Sequence, residues 1–76
     1  MKNLPSLSAK EVVRILKKFG FEELRQKGSH LLLLNRITKR RTIVPIHAGK
    51  DIKKPLLRKI IEEDAGISIE EFLDRR

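Results

Sequence analysis

The spacing of apolar positions divides the chain into a helix, three strand-like segments and a second helical region. Ser8-Ala9-Lys10-Glu11 has the form of a capping box, in which a serine hydroxyl and a glutamate three residues on satisfy each other's backbone N–H. Leu7 and Val12 flank it at the spacing of a hydrophobic staple. Val12, Ile15, Leu16 and Phe19 then recur at helical intervals, a stripe that must face a core. Lys10, Arg14, Lys17 and Lys18 fall largely on the other side, and Gly20 offers the left-handed residue that ends a helix.

From residue 21 the period shortens. Phe21 to Lys27 alternates loosely, with Phe21 and Glu23 on one side and Glu22 and Leu24 on the other. His30 to Asn35 (HLLLLN) is apolar on both faces, as expected of a central strand or of one whose second face meets a partner. Arg41 to Ile46 (RTIVPI) is rich in β-branched residues, but Pro45 gives no ladder N–H, so this strand belongs at an edge or ends there. Gly28 marks one turn and residues 36–40 the next, and links this short force antiparallel neighbours. A second helix starts at Pro55, a residue favoured at the first helical position, with Leu56, Leu57, Ile60 and Ile61 as its apolar stripe. Gly66 ends that helix; Ser68-Ile69-Glu70-Glu71, stapled by Ile67 and Phe72, starts a last short one. The expectation is an α+β two-layer fold, α-β-β-β-α plus a short C-terminal helix, with a three-stranded antiparallel sheet and the helices on one face. Residues 1–76 read as one domain.

Charge changes the picture more than size does. Residues 1–61 carry sixteen Lys and Arg against four Asp and Glu, whereas residues 62–76 carry six acids and two bases. A basic body with a short acidic end favours a polyanionic partner, most often nucleic acid. With no cysteine, neither a disulfide framework nor a thiolate metal site is possible, which fits a cytoplasmic protein. The opening MKNLPSLS lacks the apolar core of a signal peptide, and the run Leu31–Leu34 is far too short for a membrane span, so no membrane partner is expected.

Catalytic chemistry is constrained by what is missing. There are two histidines, His30 and His47, no H-E-x-x-H pattern, and most acids lie far from both in sequence, so no metal and no cofactor are expected. Ser29 and His30 are neighbours on a strand and point to opposite faces, which argues against a hydrolase triad. What remains is proton transfer by an imidazole at a phosphodiester, with cations to stabilise the phosphorane oxygens. RNA brings its own nucleophile, the 2′-hydroxyl, and so demands little apparatus. Lys27, Arg25, Arg36, Lys39, Arg40 and Arg41 flank the strands, although a lone histidine at a strand start is commonly structural.

Several stretches resemble the HicA-type toxins, the small mRNA interferases of HicA–HicB toxin–antitoxin pairs. They are LKKFGF (16–21), KGSH (27–30), VPIH (44–47) with GK at 49–50, LLRKII (56–61), DAGIS (64–68) and EEF (70–72). The resemblance implies a fold similar to a double-stranded-RNA-binding domain, metal-independent RNA cleavage with His30 as the catalytic residue, mRNA as substrate and a cognate HicB-type antitoxin as partner. Lys27, Ser29, Arg41, Lys50, Lys53 and Lys54 are the expected RNA contacts, the last three within a basic cluster with Arg58 and Lys59 at the start of the second helix. Where the family often opens that helix with glycine and a small polar residue, this chain has Lys54-Pro55-Leu56. The apolar second strand also offers a face for homo-oligomer formation.

His47 has three readings: a second proton donor, a phosphate contact, or a residue that fixes its loop by a hydrogen bond. Strand pairing decides among them. A loop of Ile37–Arg40 sets His30 opposite His47, with the two rings on one face about 4.5–5.5 Å apart at Cβ. A loop of Ile37–Lys39 sets His30 opposite Ile46 and turns His47 away. Pro45 favours the second, and with it a single catalytic histidine.

Overall fold

A computed structural model describes residues 3–76. The chain runs α1 (Ala9–Lys18), β1 (Phe21–Lys27), β2 (His30–Asn35), β3 (Arg41–Pro45), α2 (Lys54–Arg58), a π-helical segment (Lys59–Asp64) continuous with α2, and α3 (Ile69–Asp74). This is the expected α+β arrangement, similar to a double-stranded-RNA-binding domain. The sheet has the order β1-β2-β3 with both pairs antiparallel, so β2 is central and the proline-ended β3 lies at an edge. Among the described residues, no helix is long and apolar enough to cross a membrane.

Local chemistry starts and stops the helices as the pattern requires. Ser8 caps α1: its hydroxyl accepts the Glu11 N–H at 3.2 Å, while the Glu11 carboxylate accepts the Ser8 N–H at 3.3 Å. Leu7 and Val12 of the staple are both fully buried. Gly20 then takes a φ of +98°, in the left-handed region that side chains avoid. Ser68 caps α3 by accepting the Glu71 N–H, and α3 packs back on α1 through a stacked Phe19–Phe72 pair with ring centroids 6.3 Å apart. The second helix begins one residue earlier than expected, at Lys54, which places Pro55 at its second position.

One face of the sheet is covered. Phe21, Leu31, Leu33, Thr42 and Val44 turn inward and pack with Val12, Ile15 and Leu16 of α1 and with Leu57, Ile60 and Ile61. Burial of this aliphatic surface is the main force holding the two layers together. Leu56 departs from the expected stripe and remains 38% exposed. The wider π turn is the cause: Ala65 N–H bonds back five residues to the Ile60 carbonyl, so the inward direction advances towards Ile61 and Ala65 and leaves Leu56 on the flank. β1 differs as well, because a bulge between Glu23 and Arg25 breaks its alternation and leaves Phe21 as its one buried residue.

The β2–β3 pairing follows neither anticipated register. His30 lies opposite Pro45, Leu32 opposite Ile43 and Leu34 opposite Arg41. Asn35 and Arg40 close the hairpin, with the Asn35 N–H donating to the Arg40 carbonyl at 2.9 Å. Asn35 also fixes the loop through its side chain, whose Oδ1 accepts the N–H groups of Ile37 and Thr38 while Nδ2 donates to the Phe19 carbonyl. Lys39 supplies the left-handed turn residue at φ +66°. The buried Asn35 thus fixes the loop and, with it, the register.

Candidate nucleic-acid interface

Residues opposed across antiparallel strands share a face, so the register fixes the composition of the uncovered side of the sheet. Three rows result: Lys27, His30 and Pro45; Arg25, Leu32 and Ile43; Glu22, Leu34 and Arg41. Its centre is apolar, with Ile43 53% exposed and Leu32 and Leu34 partly covered, and most of the charge around it is positive. His30 is exposed at one end, where Lys27 stands across β1 and Ser29 sits in the turn. The turn is rigidly tied: the Ser29 carbonyl accepts the Ile46 N–H at 2.6 Å, one bond beyond the end of β3.

His30 borders a depression of about 400 Å³ whose other walls include Arg41, Pro45, Leu56, Lys59 and Asp64. The cation there is held in place. Lys59 Nζ donates to Asp64 Oδ1 at 3.1 Å, and the other carboxylate oxygen accepts the hydroxyl of buried Thr42 at 2.8 Å. Thr42 is the one hydroxyl among the inward-facing residues of β3, and that misplaced polarity was the sequence signal for the clamp. The clamp itself, and the exposure of Leu56, had gone unpredicted.

A second depression, of about 360 Å³, adjoins the first and shares Pro45 and Leu56 with it. His47, Lys50, Asp51 and Lys53 supply its polar walls. His47 lies beyond the end of β3 and is exposed, so the two rings do not form an opposed pair. Its loop is closed by its carbonyl, which accepts the Lys50 N–H at 3.2 Å, and the imidazole makes no hydrogen bond among the described residues.

The structure divides the expected basic cluster. Lys50 and Lys53 join His47, whereas Lys54 and Arg58 border a different hollow beside Asn3 and Leu4. Arg58 pairs with Glu62 at 3.4 Å. Arg36 pairs with Glu22 at 2.9 Å, and Arg40 reaches across to donate to the Glu63 carbonyl at 3.2 Å. A side chain on Gly66 would collide with Arg40, its Cβ falling 2.7 Å from the guanidinium carbon, so Arg40 serves the fold. Of the cations that line the two depressions, Lys59 is paired with Asp64, whereas Arg41, Lys50 and Lys53 form no ion pair among the described residues.

The sheet, its one-sided helical cover and the basic groove along β3 define a small α+β protein of the double-stranded-RNA-binding-domain type. The family model described as the HicA toxin of bacterial toxin–antitoxin systems matches residues 9–67, from the first residue of α1 past the π-helical segment. The chain belongs to this HicA toxin family, and membership supports a toxin-type, RNA-acting role with an antitoxin counterpart. No curated protein sequence matches the chain.

Proposed function

We propose that the protein is a metal-independent endoribonuclease, an mRNA interferase in which His30 carries the proton transfer. The observation that supports this reading is the position of His30, exposed at the mouth of a depression that also presents Arg41 and the clamped Lys59. Imidazole takes the proton of the RNA 2′-hydroxyl, whose oxygen attacks the adjacent phosphorus. The bond to the 5′-oxygen breaks and that oxygen acquires a proton, leaving a 2′,3′-cyclic phosphate and a 5′-hydroxyl. Arg41 and Lys59 supply the positive field for the extra charge on the phosphorane oxygens. Lys27 and Ser29 flank the same phosphate, while Lys50 and Lys53 contact RNA further along; Lys54, expected as a further contact, borders the separate hollow and lies off this path.

The deciding experiment is cleavage of RNA in EDTA by the parent and by His30→Ala. The variant should lose cleavage yet keep its stability to within about 1–2 kcal/mol, because an exposed residue leaves no cavity when truncated. His47→Ala should remain folded and still cut, though more slowly. Cleavage by folded His30→Ala would remove the catalytic assignment, and RNA binding without cleavage by the parent would favour a non-catalytic RNA-binding module.

The uncovered sheet face supports a second role, docking of the HicB-type antitoxin. Its apolar centre lies among Arg25, Lys27 and Arg41, which suits an apolar partner surface with acidic margins. Self-association through this face would bring like charges together, so the antitoxin is the better occupant.

A further inference from the structure

We infer that the second depression is a nucleotide subsite: it receives the residue next to the scissile phosphate and reads its base. The inference rests on the ribonuclease reading of His30 and extends it to substrate recognition. The two depressions share Pro45 and Leu56, so a strand whose phosphate lies at His30 must cross that apolar ridge to continue towards His47. The exposure of Leu56 gives the ridge its function. A leucine from the helix's apolar stripe stands 38% exposed there, beside a partly covered proline, and together they offer an apolar surface against which a base can pack. The volume, about 360 Å³, lies near the lower end of the roughly 300–1,000 Å³ typical of small-ligand sites and suits one nucleotide.

The polar walls assign the rest of the nucleotide. Lys50 and Lys53 are exposed and without ion-pair partners among the described residues, which leaves both ammonium groups for phosphate oxygens. Asp51 is the one acceptor-only side chain in this lining and would repel a phosphate. Its carboxylate therefore faces the base edge, where it accepts hydrogen bonds from amino-bearing bases (adenine, cytosine or guanine). Uracil, whose single N–H is flanked by two carbonyl oxygens, fits it poorly. The imidazole of His47 lines the same wall as a further donor, which accounts for a histidine outside the catalytic pair geometry.

The test uses short oligodeoxynucleotides with a single ribonucleotide that fixes the cleavage point. Extending the dinucleotide by one residue, on the side that crosses the ridge, should raise kcat/KM by about tenfold, the scale of burying roughly 60 Å² of apolar surface. That gain should favour amino-bearing bases over uracil, mainly through KM. Leu56→Ala and Lys50→Gln/Lys53→Gln should each lose more on the extended substrate than on the dinucleotide, and Asp51→Asn should narrow the base preference. Unfolding midpoints measured in parallel exclude loss of fold as the cause. Equal losses on both substrates, or no gain from extension on either side, would overturn the subsite. If the parent does not cut RNA, the ribonuclease reading fails separately. The same length and base series, read as binding of short RNAs to His30→Ala, then decides the subsite alone.

Discussion

Asn35 shows how one side chain can set the geometry of a site many residues away. It is 5% exposed, and its amide makes three hydrogen bonds to the backbone of two different connections. The same residue pairs with Arg40 and so determines that His30 meets Pro45. Asn35→Ala would strand the Phe19 carbonyl and the N–H groups of Ile37 and Thr38, at a cost of about 2–4 kcal/mol when partial access to water is allowed for. Asn35→Asp should also destabilise, because it keeps the acceptor but sets an oxygen against the Phe19 carbonyl. Urea unfolding of the three proteins checks this; a loss below 1 kcal/mol for Asn35→Ala would show that water replaces the amide freely. The place of His30 at the exposed head of β2 was legible, because a polar side chain beginning an apolar strand is conspicuous. The register was not legible, since an Asn at a strand end reads equally as a strand residue, a turn residue or a cap.

At the scale of elements, the features read most directly were those with short-range causes. The Ser8 box, the staple, Gly20 and Gly66 each depend on residues within five positions, and all appear as the pattern requires. The β1 bulge and the π-helical segment depend on what lies across the sheet, and nothing local signals them. Leu56, Leu57, Ile60 and Ile61 fit an ordinary helix, and the π turn appears where Arg40 holds the Glu63 carbonyl and Thr42 holds Asp64. The capping box also yields a pH prediction. The Glu11 carboxyl is held below its ordinary range, first by the Ser8 backbone N–H, then by the Ser8 hydroxyl, with Arg76 and Arg14 adding smaller effects. A carboxyl with a depressed folded-state pKa contributes stability that is present above its unfolded value and fades as pH falls through the folded one. The stability gap between the parent and Glu11→Ala should therefore be constant near neutrality and shrink in acid. Denaturant unfolding at a series of pH values measures it, and a gap unchanged down to strong acid would place the contribution in packing.

For the whole molecule, a net charge of +8 says that polyanions will be attracted, and the pairing of individual cations says where. Arg36 and Arg58 are engaged with Glu22 and Glu62, and Lys54 faces a hollow beside Asn3 and Leu4, away from both histidines. Arg41 and Lys53 instead border the adjoining depressions on either side of the Pro45–Leu56 ridge. A strand lying along that groove would release counterions at Arg41 and Lys53 and leave those at Arg36 and Lys54 in place. Each phosphate contact contributes about −0.7 to the slope of log affinity against log salt for single strands. Measured with the His30→Ala protein so that RNA stays intact, Arg41→Gln and Lys53→Gln should each flatten the slope by about 0.7. Arg36→Gln and Lys54→Gln should leave it nearly unchanged, although all four variants remove one positive charge. Equal flattening by all four would mean that RNA responds to overall charge alone, and the path from His30 across the ridge would have to be abandoned.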